Sequence, residues 1–171
     1  QYYQSTTYLN GGTIRLSGAD NRLFVNEFGT AYGLTVNRGT FDLNGNSQTV
    51  NALGSTSTVP GAGGVVTNTS ASRSTFYSSG GGTFAGAING NLNFIRGGNN
   101  TSTLLSDNAY TGDTILRGGG LTLQQYGKLS GTASFTSYFG TLTLDNSNNP
   151  VADLVRISPT LPLSFRGGNI T

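Results

Sequence analysis

The residues that could do acid–base or metal chemistry in this chain are its seven carboxylates. A catalytic pair or a calcium site needs two or three carboxylates close together. Asp107 and Asp113 flank the turn at residues 110–112 and could share a cation, but we favour a role in capping that turn. Asp42 stands between two apolar residues of an alternating stretch, so it should point into water. The seven are Asp20, Glu27, Asp42, Asp107, Asp113, Asp145 and Asp153.

The other reactive side chains are scarce. The chain has no Cys and no His, which excludes disulfides, the usual zinc sites and imidazole bases, although Ser–Lys and carboxylate chemistry remain open. The glycine runs do not form a phosphate-binding loop, and the alternating Gly/Asp pattern of calcium-binding repeats is absent. We therefore expect no catalytic, cofactor-binding or metal-binding residues and predict that the protein is not an enzyme.

Charge and aromatic content bear on possible partners. The nine Lys and Arg residues are spread singly, the formal net charge is +2, and a nucleic-acid binder usually clusters its positive charge, so we expect no nucleic-acid partner. Exposed tyrosines would suit contact with sugar or protein, whereas tyrosines at the edge of a core would explain the same residues. The tyrosines are Tyr2, Tyr3, Tyr8, Tyr32, Tyr77, Tyr110, Tyr126 and Tyr138.

One sequence pattern recurs along the chain: an apolar residue, four residues rich in Gly, Asn or Arg, and then apolar-x-apolar. Its copies lie at residues 9–16, 36–43 and 116–123, with a weaker copy ending at 140–144 and an incomplete one at 165–170. Side chains on the same face of a strand lie an even number of residues apart, but the first two apolar residues of this pattern lie an odd number apart, as at positions 9 and 14. A corner or bulge must therefore interrupt each copy, at the glycines that tolerate it.

Two architectures could use such a strand–corner–strand unit: an antiparallel meander, as in a β-sandwich or barrel, and a parallel β-helix. The copies recur at roughly 20 to 28 residues, a period typical of solenoids. We therefore predict a parallel β-helix of about seven coils, with an antiparallel β-sandwich as the alternative. Its apolar anchors, among them Ile14, Phe41, Leu121 and Ile170, should share one interior column, while Thr, Asn and Arg face water. The corners Asn44-Gly45-Asn46 and Asn99-Asn100 could stack their amides between coils, although simple turn chemistry explains them too.

Two stretches carry a family resemblance. They are residues 39–50 and the run from Asn108 through Tyr110-Thr111-Gly112 to the strand at 121–123. Together they resemble the passenger-associated transport repeat of bacterial autotransporters, and the likeness covers about residues 33 to 144. The resemblance implies a right-handed parallel β-helix that is exported through the outer membrane and displayed on the cell surface. In that family the repeat is structural and carries no catalytic residues.

The resemblance sets the expected organisation. Residues 1–171 should form a single β-helix segment excised from a longer solenoid, with its membrane anchor outside this piece. The segment 145–165, which contains Pro150, Pro159 and Pro162, departs from the pattern and should be an irregular excursion. We expect a structural or adhesive role, with a host-cell, neighbouring-cell or extracellular-matrix partner. The alternatives are a protomer that self-associates head to tail in a filament or surface layer, and a polysaccharide-acting enzyme.

Overall fold

The computed structural model describes residues 5–23, 31–147 and 155–171, and these are built from strands and turns. In this part of the chain no helix has the length and apolar character needed to cross a membrane. The strands are β1 Thr7–Arg15, β2 Leu34–Asp42, β3 Gln48–Val50, β4 Leu53–Gly54, β5 Val65–Asn68, β6 Ser74–Ser78, β7 Gly82–Phe84, β8 Ala87–Gly90, β9 Leu92–Arg96, β10 Thr101–Leu104, β11 Asp107–Tyr110, β12 Thr114–Leu116, β13 Gly120–Gln124, β14 Lys128–Leu129, β15 Phe135–Ser137, β16 Gly140–Asp145, β17 Leu163–Phe165 and β18 Gly168–Ile170.

The strands form three sheets, and every pairing between described strands is parallel. Sheet 1 runs β1-β2-β5-β8-β11-β14, with β4 also paired to β2; sheet 2 runs β3-β6-β9-β12-β15-β17; sheet 3 runs β7-β10-β13-β16-β18. From β5 onward the chain visits sheets 1, 2 and 3 in turn before returning one rung higher. The chain is therefore a parallel β-helix, and the antiparallel β-sandwich alternative is wrong.

The number of coils follows from sheet 1. Its six strands in series and the parallel bridge from Leu129 to Ile157 make seven stacked rungs. Coil length varies along the stack: 21 residues separate the hydrogen-bonded partners Gln124 and Asp145, and 28 separate Thr141 and Asn169. The prediction of about seven coils is confirmed.

The prediction of one common interior column is wrong. Ile14 lies opposite Phe41 in sheet 1, whereas Leu121 lies opposite Leu142, and Leu142 opposite Ile170, in sheet 3. The recurring pattern occupies two kinds of corner. The copies at 9–16 and 36–43 bend within β1 and β2 of sheet 1, and the copy at 116–123 leads from sheet 2 into sheet 3. Both corners need the same residue types, so the pattern does not reveal which corner it builds.

Glycine makes these corners possible because the backbone there is left-handed. Gly39 has φ 85° in the bend of β2, and Gly119 has φ 64° between β12 and β13. A Cβ on Gly39 would also clash with the carbonyl oxygen of Gly12 on the coil below. Glycine therefore meets two demands at once, the backbone angle and the close approach of adjacent coils.

The interior is filled by side chains that alternate along each strand. In β9, Leu92 and Phe94 are buried while Ile95, between Phe94 and Arg96, is half-buried on the outer face. Phe94 stacks with Phe76 of the preceding coil at a centroid distance of 6.3 Å, and it meets the edge of Tyr110 at 6.1 Å. These ring contacts pack the core of the middle coils.

The expectation that arginines face water is wrong at two positions, since Arg96 and Arg156 are buried. Arg96 donates to the carbonyl oxygens of Ser78 (3.3 Å) and Ser79 (3.2 Å) and to that of Asn100. Arg156 donates to the carbonyl oxygens of Gly127 (2.6 Å) and Asp145 (2.5 Å). Burial lowers the pKa of both guanidinium groups below the ordinary value for arginine. Each arginine thus donates to backbone carbonyls at or beside a bend of the chain, and those of Ser78 and Asn100 also accept a backbone N–H.

Asparagine acts both within turns and between coils. The Asn46 amide donates to the carbonyl oxygens of Leu43 (3.1 Å) and Asn44 (3.2 Å), which is turn chemistry. Stacked amides occur elsewhere, where Asn37 Nδ2 donates to Asn10 Oδ1 at 2.8 Å across adjacent coils. Asn100 of the second corner acts through its backbone carbonyl, which accepts from Arg96.

The proline-containing segment is described on either side of a gap at residues 148–154, a gap that includes Pro150. Beyond it, Ile157 bridges to Leu129, and the carbonyl oxygen of Pro162 accepts from Phe135 N at 2.9 Å. The backbone around Pro159 turns, with Leu161 N donating to Ser158 O at 3.0 Å. These contacts hold residues 155–162 against the preceding coil, ahead of β17.

Candidate binding surface

Asp107 and Asp113 each bind their own partner from the next coil. Asp107 pairs with Lys128 on the next rung at 3.1 Å. Asp113 accepts from the Ser134 hydroxyl at 2.7 Å, so it ties its turn to the coil above. Residues 5–23, 31–147 and 155–171 contain no group of three or more His, Cys, Asp or Glu side chains that could hold a metal ion. Glu27 and Asp153 lie outside the described residues.

Asp42 does not point into water as predicted; its side chain is 1% exposed. Its carboxylate accepts from Arg15 Nε at 2.9 Å on the coil below, and from Thr69 N (3.1 Å) and Oγ1 (2.7 Å) on the coil above. Asn44 N donates a further bond at 3.0 Å within the same coil. Asp42 lies between the interior residues Phe41 and Leu43, so alternation still puts it on the outer face, but hydrogen-bonding neighbours from the adjacent coils shield it from water. Asp42 is a structural clamp across three coils.

The Asp42 clamp predicts a pH dependence of stability. Burial alone raises the pKa of Asp42, but hydrogen bonds from Thr69 and Asn44 and the Arg15 guanidinium hold it below its ordinary value of 3.8. A lowered folded-state pKa gives stability that is fully present above the unfolded pKa and lost as the pH falls through the folded one. Asp42→Asn should lower the free energy of unfolding by about 2 kcal/mol at neutral pH.

Urea unfolding of both proteins at neutral and acid pH tests the Asp42 prediction. The difference between wild type and Asp42→Asn should narrow below about pH 4, where the Asp42 carboxylate of the unfolded chain begins to protonate, and close as the pH falls through the lower folded pKa. A constant difference across that range would show that the Asp42 charge does not support the fold.

The tyrosines divide between core and surface. Tyr110 is fully buried, with its hydroxyl hydrogen-bonded to Thr114, and Thr114 in turn bonded to Thr132 at 2.8 Å. Burial raises the pKa of the Tyr110 phenol above its ordinary value of 10.0. Tyr8, Tyr126 and Tyr138 are exposed by 63%, 43% and 36%. Tyr32 and Tyr77 are half-buried, and Tyr2 and Tyr3 lie outside the described residues.

One of the exposed tyrosines belongs to a groove on the outer side of sheet 2. The groove has a volume of about 410 Å³ and is lined by Ile115, Arg117, Tyr138 and Phe139. Phe139 is 79% exposed, the largest value among the exposed large hydrophobic residues of the described chain. We call this feature the aromatic groove. Neighbouring exposed apolar side chains of this kind make the groove a candidate binding surface.

The stacking of coils arranges the polar side of the aromatic groove. Leu116 lies opposite Ser137, and Ser137 opposite Phe165, so the residues that follow them form an outer row of Arg117, Tyr138 and Arg166. Backbone hydrogen bonds hold this row, with Tyr138 N donating to Leu116 O at 2.8 Å and Arg166 N to Ser137 O at 2.8 Å. The Arg166 guanidinium carbon lies 5.5 Å from the centre of the Tyr138 ring, in cation–π contact.

The two arginines of this row give the groove a positive charge. Both are exposed, and the ion pairs found among the described residues, Arg15–Asp42 and Lys128–Asp107, involve neither. Arg117 precedes three glycines, which have no side chains that could cover it from along the chain. The surface thus presents a guanidinium beside two aromatic rings.

The sequence suggested contact by exposed tyrosines but did not identify this groove. Its members come from different coils, separated by unequal numbers of residues, and only the register brings them together. Comparison with protein-family models, curated proteins and solved structures found no match to this chain.

Proposed function

We propose that this chain is the structural and adhesive segment of an exported, autotransporter-like bacterial surface protein, in which a rigid β-helical stalk displays a contact surface. The observation that carries the proposal is the stack of seven parallel rungs, which holds the outer rows of side chains at a fixed spacing of about 4.8 Å. The resemblance of residues 39–50 and 108–123 to passenger repeats supports the exported location. The aromatic groove supports adhesion.

Localisation in the organism that encodes the chain tests the export part of the proposal. Antibodies raised against residues 31–147 should label intact cells, and external protease should remove the label. Labelling that requires permeabilised cells would contradict surface display. Beads coated with the chain should also be retained on cultured cells or on extracellular matrix, compared with uncoated beads.

A second candidate function is a protomer that stacks head to tail into a filament or layer. Leu163, Phe165 and Ile170 are exposed by 45%, 38% and 44% on the last coil of the stack. Another coil, from the same polypeptide or from a second copy, would cover them. Sedimentation and negative-stain microscopy distinguish the two candidates, because fibres favour the filament and monodisperse particles favour the displayed stalk.

A further inference from the structure

We infer that the aromatic groove binds an acidic carbohydrate, a polysaccharide segment that carries uronate carboxylates. This inference deepens the proposed adhesive function and rests on it. The observation behind it is the juxtaposition of the exposed ring of Phe139, the Tyr138 ring and the Arg117 guanidinium in one open groove.

Each of these side chains supplies one part of sugar recognition. The flat apolar face of a sugar ring packs on an exposed aromatic ring, and Phe139 offers such a ring at 79% exposure. A guanidinium binds a carboxylate through two parallel hydrogen bonds, and Arg117 has no carboxylate partner within the described chain. Arg166 covers one face of Tyr138 and fixes the ring at the side of the groove.

The geometry disfavours the other classes of anionic partner. An acidic peptide that added a strand would need a free sheet edge, but β12 and β15 are each paired on both sides. A nucleic acid would need more positive charge than two arginines provide. A polysaccharide needs neither, and the rung spacing of about 4.8 Å is comparable with the length of one pyranose unit, so successive sugars can follow the row of stacked side chains.

Calorimetric titration of the 171-residue chain tests the inference, with an oligogalacturonate as the probe and a neutral galactan oligosaccharide of equal length beside it. We expect the oligogalacturonate to bind at least tenfold more tightly than the neutral oligosaccharide, and its affinity to fall as salt is raised. Phe139→Ala and Arg117→Gln should each weaken that binding at least tenfold.

Matched controls come from other coils of the same chain. Tyr8→Ala removes an exposed aromatic ring, and Arg38→Gln removes an exposed arginine from another glycine-rich corner. Both controls should bind like wild type, and all four variants should keep the wild-type unfolding midpoint because the altered side chains are exposed.

Several outcomes would overturn the inference: no binding of oligogalacturonate, equal binding of the neutral sugar, unchanged binding by Phe139→Ala and Arg117→Gln, or tighter binding of poly-glutamate or single-stranded DNA than of the sugar. These failures are separable from failure of the proposed function. Antibody labelling of intact cells would still support surface display if the groove bound no sugar.

Discussion

Phe94→Ala should lower the free energy of unfolding by about 3–5 kcal/mol, the range expected when a buried phenylalanine is truncated in a core that cannot collapse around the cavity. Phe94 is 1% exposed and lies between two other rings, at 6.3 Å from Phe76 and 6.1 Å from Tyr110. The rungs above and below fix the backbone at the coil spacing, so the walls of the cavity have little freedom to close. Urea denaturation followed by circular dichroism measures the loss.

Ile95→Ala is the matched control for Phe94→Ala because the two residues are consecutive in β9 and face opposite ways. Its truncation on the outer face should lower the free energy of unfolding by no more than about 1 kcal/mol. A larger effect at Ile95 than at Phe94 would mean that β9 is shifted by one residue, since such a shift exchanges the two faces of a strand.

Arg96→Ala should lower the free energy of unfolding by about 3 kcal/mol, whereas Arg117→Ala should change it by less than about 0.5 kcal/mol. The two arginines stand in near-identical sequence, each after an aliphatic residue and before two glycines. Arg96 is fully buried and donates to three backbone carbonyls, so truncation removes these hydrogen bonds and leaves a cavity. The carbonyls of Ser78 and Asn100 each keep a backbone donor, at 3.0 Å and 3.1 Å. Arg117 is exposed on the outer row.

Chemical denaturation of both variants measures this contrast. A third variant, Arg96→Met, separates the two causes because it fills the space of the aliphatic stem but makes no hydrogen bond. It should fall between wild type and Arg96→Ala. Equal stability of Arg96→Ala and Arg117→Ala would show that the buried guanidinium does not support the corner.

The sequence predicted the fold because parity and glycine placement are local properties. Phe41 and Leu43 lie two residues apart, so both face the interior. Val36 and Phe41 lie five residues apart, an odd number, so the chain must bend between them, and Gly39 makes this bend. A glycine-bent ribbon with a repeat of this length has few ways to bury its apolar face, and stacking its coils is one of them.

The details that the sequence did not predict depend on register. Ile95-Arg96-Gly97-Gly98 and Leu116-Arg117-Gly118-Gly119 look equivalent, yet Ile95 lies opposite Ile115 and Arg96 opposite Leu116. The Leu116-Arg117 copy is therefore displaced by one residue relative to the Ile95-Arg96 copy in the paired strands, so Arg96 faces inward and Arg117 faces outward. The burial of Asp42 likewise depends on Thr69 and Arg15, which reach it only when the coils are stacked.

The aromatic groove was beyond prediction for the same reason. Arg117, Tyr138 and Arg166 form a row because one coil has 21 residues and the next has 28, as the stacked pairs Gln124–Asp145 and Thr141–Asn169 show. Without the register, Tyr138 is one tyrosine of eight, and sequence patterns do not distinguish it from the buried Tyr110.

The central claim, that the coils stack in parallel register, is tested most directly by distances along one outer column of threonines. Thr83 lies opposite Thr103, Thr103 opposite Thr122, and Thr122 opposite Thr143. The chain has no cysteine, so paired cysteines at these positions can carry spin labels without background. Electron paramagnetic resonance should give separations that rise in equal steps, to about 5, 10 and 14 Å from position 143 to positions 122, 103 and 83. Separations that do not increase in this order would contradict the β-helix.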